Sequence, residues 1–134
     1  MTLFGSVNIE SGEVIAKTSE KGNYQSFKKY LKKVLYKYNN KEKIVMILDN
    51  VRYHHAKLLK PFLEKHDQKL ELMYLPPYSP DLNPMERVWW YMRKKITHNR
   101  YMDSLTVRKK KFWQMFSYFD KPNQEIIDVC SVNY

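Results

Sequence analysis

Apolar and polar residues are grouped along this chain in patterns that predict strands first and helices later. The stretch "LFGSVNIESGEVIA" places two runs of alternating or β-branched residues around Ser11-Gly12, a pair that favours a turn, which predicts a β-hairpin. In "NYQSFKKYLKKVLYKY" the apolar residues recur at helical spacing, and Asn23 is a suitable N-cap. The lysines of that stretch fall on the opposite face of the predicted helix, where water is their default environment.

The middle of the chain alternates between short apolar runs and helical patterns. "KIVMILDN" is typical of a strand buried on both faces of a covered sheet, and "KLELMYL" predicts another strand. Helices are predicted from His54 to His66, from Pro84 to about Ile96, over "SLTVRKKKFWQMFSYF" and, as a short element, after Pro122. The order ββαβαβααα favours an α/β fold with helices packed on a mixed sheet.

The stretch "LPPYSPDLNPMERVWW" (75–90) places a proline-rich loop directly before one of these helices. If Asn83 is the N-cap, Pro84 is the first helical residue and Glu86 can hydrogen-bond back to the cap. On this interpretation Glu86 only helps to start a helix. Three further prolines upstream exceed what a cap requires. They favour a second hypothesis, in which the loop fixes the Glu86 carboxylate for chemistry.

Asp49 follows the most apolar predicted strand, at the strand end where α/β sheets bind ligands. Because Asp-Asn is also ordinary turn chemistry, Asp49 and Asn50 are equally compatible with a structural role. His54 has no second His or Cys at a spacing typical of zinc sites. Two carboxylates suit Mg²⁺ or Mn²⁺ instead. The single cysteine, Cys130, excludes an internal disulfide and fits a reducing cytoplasm.

The net charge of +10 indicates an anionic partner, most often a nucleic acid. The charge is unevenly distributed: residues 1–48 carry a net charge of +5, residues 49–86 carry −1, and residues 87–111 carry nine basic residues against one acid. A slightly acidic middle between two basic flanks is the pattern expected of an enzyme that acts on a polyanion. No apolar run approaches the roughly 20 residues that a membrane span needs.

Two stretches together, "LDNVRYHHAK" (48–57) and "LPPYSPDLNPMERVW" (75–89), resemble the paired signatures of the DDE transposases. The resemblance is to the bacterial insertion-sequence branch related to mariner elements, and it extends from about Leu3 to Phe116. It implies an RNase H-like fold and metal-dependent cleavage and transfer of DNA strands. The cofactor that it implies is Mg²⁺ or Mn²⁺, bound as two ions by three carboxylates.

The resemblance also assigns roles to individual residues. Asp49 and Glu86, with 36 residues between them, match the second and third catalytic, metal-binding acids. Asn50, His54 and Asn83 match positions that support the site. The basic residues expected to contact DNA are Arg87, Arg93, Lys94, Lys95, Arg100, Lys109 and Lys110.

The family's first acid is an Asp on the first, central strand of the sheet, and no Asp precedes Asp49 here. We therefore expect one RNase H-like domain over residues 1–134 that lacks this strand, with a core of about residues 3–116 and a helical tail over 117–134. The missing Asp is expected to come from an upstream transposase segment or from a second protomer. The chain alone is expected to be inactive.

The expected partners are DNA, as transposon ends and target, and a second copy of the chain in an active homodimer. The expected location is the cytoplasm, in association with the nucleoid. A non-catalytic DNA-binding remnant is the alternative, and its DNA binding would not change when Asp49 or Glu86 is replaced. A third hypothesis, another RNase H-like nuclease, predicts cleavage of RNA–DNA hybrids without strand joining.

Overall fold

A computed structural model describes residues 2–40, 43–49, 57–75, 83–97 and 105–131, except for the side chains of residues 96, 97 and 105–109. The described elements follow the predicted α/β order. The strands are β1 (Thr2–Val7), β2 (Val14–Ser19), β3 (Ile44–Leu48) and β4 (Leu70–Tyr74), and the helices are α1 (Tyr24–Lys37), α2 (Lys60–Lys65), α3 (Pro84–Thr97), α4 (Leu105–Phe119) and α5 (Gln124–Cys130). Within these ranges no helix is long and apolar enough to cross a membrane.

The chain divides into two compact units, each described below by itself. The first unit comprises Met1–Phe4 and Lys17–Asn83, and the second comprises Gly5–Ala16 and Pro84–Tyr134. The described strands form two separate pairs, β1 with β2 and β3 with β4. The single domain expected over residues 1–134 stays a prediction.

In the first unit, α1 begins at a capping box that the sequence partly predicted. The Asn23 side chain accepts a hydrogen bond from the Ser26 backbone nitrogen, and the Ser26 hydroxyl accepts one from the Asn23 backbone nitrogen, both at 3.0 Å. Two of the donors that a helix start leaves unpaired are thereby satisfied. The apolar face of α1 is buried, and Tyr30 stacks on Phe4 with ring centroids 5.5 Å apart.

The strands β3 and β4 are parallel and in register, from the Ile44–Leu70 pair to the Leu48–Tyr74 pair. The ladder continues one residue beyond β4, because the Leu75 backbone nitrogen donates to the Leu48 carbonyl oxygen at 2.7 Å. The end of β3 is therefore held by its neighbour up to the residue that precedes Asp49.

The prediction that β3 is buried on both faces is wrong. Met46 is 7% exposed, but Val45 and Ile47 on the opposite face are 50% and 57% exposed, and Met73 of β4 is 52% exposed beside them. Parallel strands are normally covered on both faces. In the described part of the chain, this face of the pair, which also carries Glu71 opposite Val45, has no such cover, and the apolar run alone could not reveal this.

The helix predicted from His54 to His66 is shorter where it is described. A 3₁₀ helix over Lys57–Leu59 leads into α2, which ends at Lys65. Pro61 stands in the first turn of α2. Proline has no backbone N–H and suits a helix start, so it favours an α-helix that begins here rather than upstream.

In the second unit, a turn at Asn8–Glu13 joins the predicted hairpin strands. This connection is too short for the crossover that a parallel pair needs, so β1 and β2 are antiparallel. Gly12 has a φ of 78°, which favours glycine, and its amide donates to the Asn8 carbonyl at 2.7 Å. Asn123, just before α5, donates from its side chain to the Gly12 carbonyl oxygen at 2.9 Å.

The core of the second unit brings the hairpin together with α3, α4 and α5. Its buried members are Val14, Ala16, Met85, Val88, Met92, Phe116, Phe119, Ile126 and Cys130. Trp89 packs against this core and meets Phe116 edge-on at 5.6 Å between ring centroids. A Cβ on Gly5 would lie 2.3 Å from a Trp89 ring carbon, so only glycine leaves room for the indole.

Candidate active site

Asp49 lies immediately after β3 and is half-buried. Its position follows from the strand: the apolar run "IVMIL" forms β3, and the chain leaves the sheet at the first charged residue. A carboxylate at the carboxyl end of a parallel strand is placed at the edge where α/β sheets bind ligands.

Asn83 contacts Asp49 directly. The Asn83 side-chain nitrogen, Nδ2, donates to Asp49 Oδ1 at 2.8 Å. Because a carboxylate only accepts hydrogen bonds, the amide nitrogen rather than the amide oxygen must face it. The contact joins the two motifs, since Asp49 belongs to "LDN" and Asn83 to "LNPMER". The other predicted supporting residues, Asn50 and His54, lie outside the described residues.

Glu86 is the third residue of α3 and is exposed. The helix begins at Pro84, as the sequence predicted. It is anchored by Val88 and Met92, which are both 0% exposed, so the carboxylate stands on a firmly packed element. The positive end of the helix dipole favours an acid in this first turn. The hydrogen bond from Glu86 back to the helix cap stays a prediction.

The two acids belong to different compact units, Asp49 to the first and Glu86 to the second. Across the described ranges, no group of three or more His, Cys, Asp or Glu side chains could hold a metal ion. The oxygen donors at the two motif positions are nevertheless of the kind that Mg²⁺ and Mn²⁺ prefer.

Six of the seven basic residues predicted to contact DNA fall into three groups. Arg93, Lys94 and Lys110 are exposed. Arg87 is half-buried and donates to the Cys130 carbonyl oxygen at 3.1 Å, where it links α3 to the end of α5. Arg100 and the side chain of Lys109 lie outside what the structure describes.

Lys95 is the remaining predicted DNA contact, and it belongs to a network that sequence reasoning missed. Lys95 and Tyr91 on α3 both donate to the Glu125 carboxylate on α5. The hydrogen bond from Lys95 is the main cause that lowers the pKa of Glu125, and the same bond raises the pKa of Lys95. Burial, followed by the hydrogen bond to Glu125, raises the pKa of Tyr91. The 30 residues of sequence separation between Lys95 and Glu125 give no local signal for this pairing.

The comparisons with known proteins agree with the two motifs. A family model described as "DDE superfamily endonuclease" matches residues 1–107. An insertion element IS630 uncharacterized 39 kDa protein from Shigella sonnei is 28% identical over 109 residues, which are 81% of this chain and 32% of that protein. The uncharacterized protein y4pE/y4sA from Sinorhizobium fredii is 45% identical over 56 residues, which are 42% of this chain and 38% of that protein. The chain thus spans about a third of the length of these curated relatives.

Solved structures give the same fold. The catalytic domain of Mos1 mariner transposase matches 96% of this chain and 66% of its own length, with a TM-score of 0.62 at 18% identity. The Mos1 strand transfer complex matches 90% of this chain and 36% of its own length, with a TM-score of 0.65 at 22% identity. These similarities confirm the predicted RNase H-like α/β class and the resemblance carried by the two motifs.

Proposed function

The chain belongs to the DDE superfamily of endonucleases, and from this premise we propose that it is the part of a transposase catalytic domain that supplies the second and third acids. Asp49 is the second acid and Glu86 the third. The hydrogen bond between Asn83 and Asp49 is the observation that carries the proposal, because it joins the two motifs at one carboxylate. A helix cap alone would not require this contact.

Each residue has a distinct part in the proposed site. Asn83 fixes the orientation of the Asp49 carboxylate by donating a hydrogen bond to its Oδ1 oxygen. Glu86 presents its carboxylate from the first turn of a packed helix. Asn50 and His54 are proposed as further supports on the strength of the resemblance alone.

Asp49 and Glu86 are proposed to hold Mg²⁺ or Mn²⁺, and the family generally uses divalent metal ions. The donors fit this group, since both are hard carboxylate oxygens. When bound, such ions activate an oxygen nucleophile and stabilise the leaving oxygen at a DNA phosphodiester. The protein's own contribution is to fix the two carboxylates and to hold the DNA backbone with its basic residues.

The first acid is proposed to come from an upstream transposase segment or from a second protomer, together with the strand that carries it. No Asp occurs among residues 1–48. The half-exposed apolar side chains of Val45, Ile47 and Met73 support this proposal, because further protein would complete the cover of β3 and β4. Two-stranded sheets are also only marginally stable by themselves.

DNA is the proposed substrate, and transposon ends are its proposed form. The net charge of +10 and the exposed cations Arg93, Lys94 and Lys110 support binding to phosphates. Two of the similar structures, a Mos1 strand transfer complex and a Mos1 transposase paired-end complex with the left transposon end, support this substrate. We also propose that the active form is a homodimer bound to paired transposon ends and that it associates with the nucleoid.

The test is a Mg²⁺-dependent nicking and strand-transfer assay on transposon-end DNA, with the chain alone and with the segment encoded upstream. We expect activity only in the completed protein. Asp49→Ala and Glu86→Ala should each lower it by about a thousandfold or more. Asn83→Ala should lower it by about 10- to 100-fold. Glu64→Ala, which removes an exposed acid from α2, is the matched control and should change nothing.

Three outcomes would contradict the proposal. Absence of nicking by the completed protein, or full activity of the Asp49→Ala variant, would remove the catalytic role. Salt-dependent DNA binding that neither alanine variant changes, without any cleavage, would instead identify a DNA-binding remnant. Cleavage of RNA–DNA hybrids without strand joining would identify a different nuclease of the same fold.

A further inference from the structure

Trp90 is the most exposed tryptophan among the described residues, although it stands on a helix that packs firmly. Its side chain is 59% exposed, whereas its neighbour Trp89 packs against the core of the second unit. The ammonium nitrogen of Lys94 lies 3.7 Å from the centroid of the Trp90 ring, a close cation–π contact. Removing the Trp90 side chain would therefore leave the buried face of α3 intact.

Helical geometry places Trp90 beside the proposed third acid. Residues four apart lie on the same face of a helix, so Glu86, Trp90 and Lys94 form one exposed row along α3. Each step of four residues advances about 6 Å along the helix axis. This distance corresponds to one or two stacked nucleotides, at about 3.4 Å each. A DNA strand that passes Glu86 along the helix would meet the indole within two nucleotides.

The chemistry of this row suits a nucleotide whose base is not paired. An aromatic face can stack on any base, while a neighbouring lysine can hold a phosphate. In a fully paired duplex the faces of the internal bases are covered by their neighbours. We propose that Trp90 is a stacking platform for an unpaired base of the DNA strand next to the phosphodiester at Glu86. This proposal rests on the proposed function and adds the state of the DNA that the site accepts.

The test measures how the protein without substitutions (the parent protein) and its variants bind two DNA probes. Divalent metal is left out, so that binding is measured without cleavage. One probe is a blunt duplex, and the other is the same duplex with a short unpaired tail that contains 2-aminopurine, whose fluorescence falls when it stacks. Trp90→Leu keeps an apolar side chain but removes the aromatic face. It should weaken binding to the tailed probe about tenfold and abolish the quenching. Binding to the blunt duplex should stay unchanged.

Two matched variants separate stacking from other effects. Trp90→Phe keeps an aromatic ring and should retain most of the quenching. Tyr36→Ala removes an aromatic side chain from α1 that is 81% exposed, and it should change neither probe. Far-UV circular dichroism should give the same helix content for all variants, because both positions are on the surface.

The results would overturn the two proposals in different ways. If the parent protein binds both probes but Trp90→Leu weakens neither, or weakens both equally, the stacking proposal is wrong and the proposed function stands. If the parent protein binds neither probe, the proposed DNA substrate fails and the stacking proposal fails with it.

Discussion

The strand pair that leads to Asp49 and the helix that carries Glu86 differ in how completely they are covered. In the strand pair that precedes Asp49, three apolar side chains are at least half exposed: Val45, Ile47 and Met73. On α3, Val88 and Met92 are 0% exposed. Glu86 therefore stands on a helix whose apolar face is buried in its own unit, whereas Asp49 follows a strand with apolar side chains that the described part of the chain leaves half exposed.

This difference indicates where the proposed upstream segment or second protomer would add most to stability. Burial of apolar side chains is the main stabilising term in folding, and it is already realised around α3. Around β3, apolar side chains are still half exposed, so burying them would add further stabilisation. Any segment that supplies the first acid should therefore stabilise the surroundings of Asp49 more than those of Glu86.

The largest expected effect comes from the same substitution made in both regions. Met92→Ala removes a fully buried side chain and should lower the free energy of unfolding by about 2–5 kcal/mol. Met73→Ala removes a side chain that is 52% exposed and should lower the free energy of unfolding by about 0.5 kcal/mol or less. Urea denaturation checks this, with hydrogen exchange to report each unit separately.

All three tryptophans lie in the second unit, so their fluorescence follows that unit alone and provides an internal control for Met92→Ala. When the proposed upstream segment is added, Met73→Ala should lower the free energy of unfolding by more than it does in the isolated chain. The loss caused by Met92→Ala should stay the same. If both variants lose the same free energy of unfolding in the isolated chain, the exposed face of β3 and β4 is already covered in solution. The contrast between the two regions would then be wrong.

Much of the fold could be predicted because local patterns determine it. The Asn23 cap, the Pro84 helix start and the apolar face of α3 all follow from spacings within a few residues. The exposure of Val45 and Ile47 could not be predicted, because an apolar run does not reveal which layers of protein cover it. Pro61 is a local signal that should have shortened the predicted helix.

The candidate site was predictable in part for the same reason. The two motifs identified Asp49, Asn83 and Glu86 by their sequence context. The hydrogen bond from Asn83 to Asp49 links residues 34 positions apart, and spacing alone gives no indication of it. The carboxylate of Glu125 was missed entirely, because its partners lie on another helix.

A smaller effect is expected at the two asparagine caps, one in each unit. Both Asn23 and Asn123 accept a hydrogen bond from the helix backbone, but Asn123 also donates to the Gly12 carbonyl at 2.9 Å. Replacement by Asp keeps the acceptor and removes the donor. Asn123→Asp should therefore cost about 1 kcal/mol, whereas Asn23→Asp should be nearly neutral.

Urea denaturation of the two Asp variants measures this difference, and the corresponding Ala variants calibrate it. Each Ala variant should lose its cap and cost about 0.5–2 kcal/mol, with the larger loss at Asn123. A neutral Asn123→Asp variant would show that the hydrogen bonds donated by the Asn123 side chain, to the Gly12 and Lys121 carbonyl oxygens, contribute nothing to stability.

The smallest expected effect is the pH dependence of the Glu125 network in the second unit. The pKa of Glu125 is lowered, chiefly by the hydrogen bond from Lys95. A carboxyl whose pKa is lower in the folded state stabilises the protein above its unfolded value, here 4.5, and loses this contribution as the pH falls through the folded pKa. The pKa of Lys95 is raised, so its contribution is complete below 10.5 and is lost only at higher pH.

Glu125→Gln should therefore lower stability by less than about 1 kcal/mol at neutral pH, since the group is partly exposed. It should also flatten the loss of stability below pH 4.5 that tryptophan fluorescence records during acid titration in urea. Glu10→Gln, which replaces an exposed acid in the hairpin of the same unit, is the control and should leave the profile unchanged. An unchanged profile in Glu125→Gln as well would mean that this network does not stabilise the helix that presents Glu86.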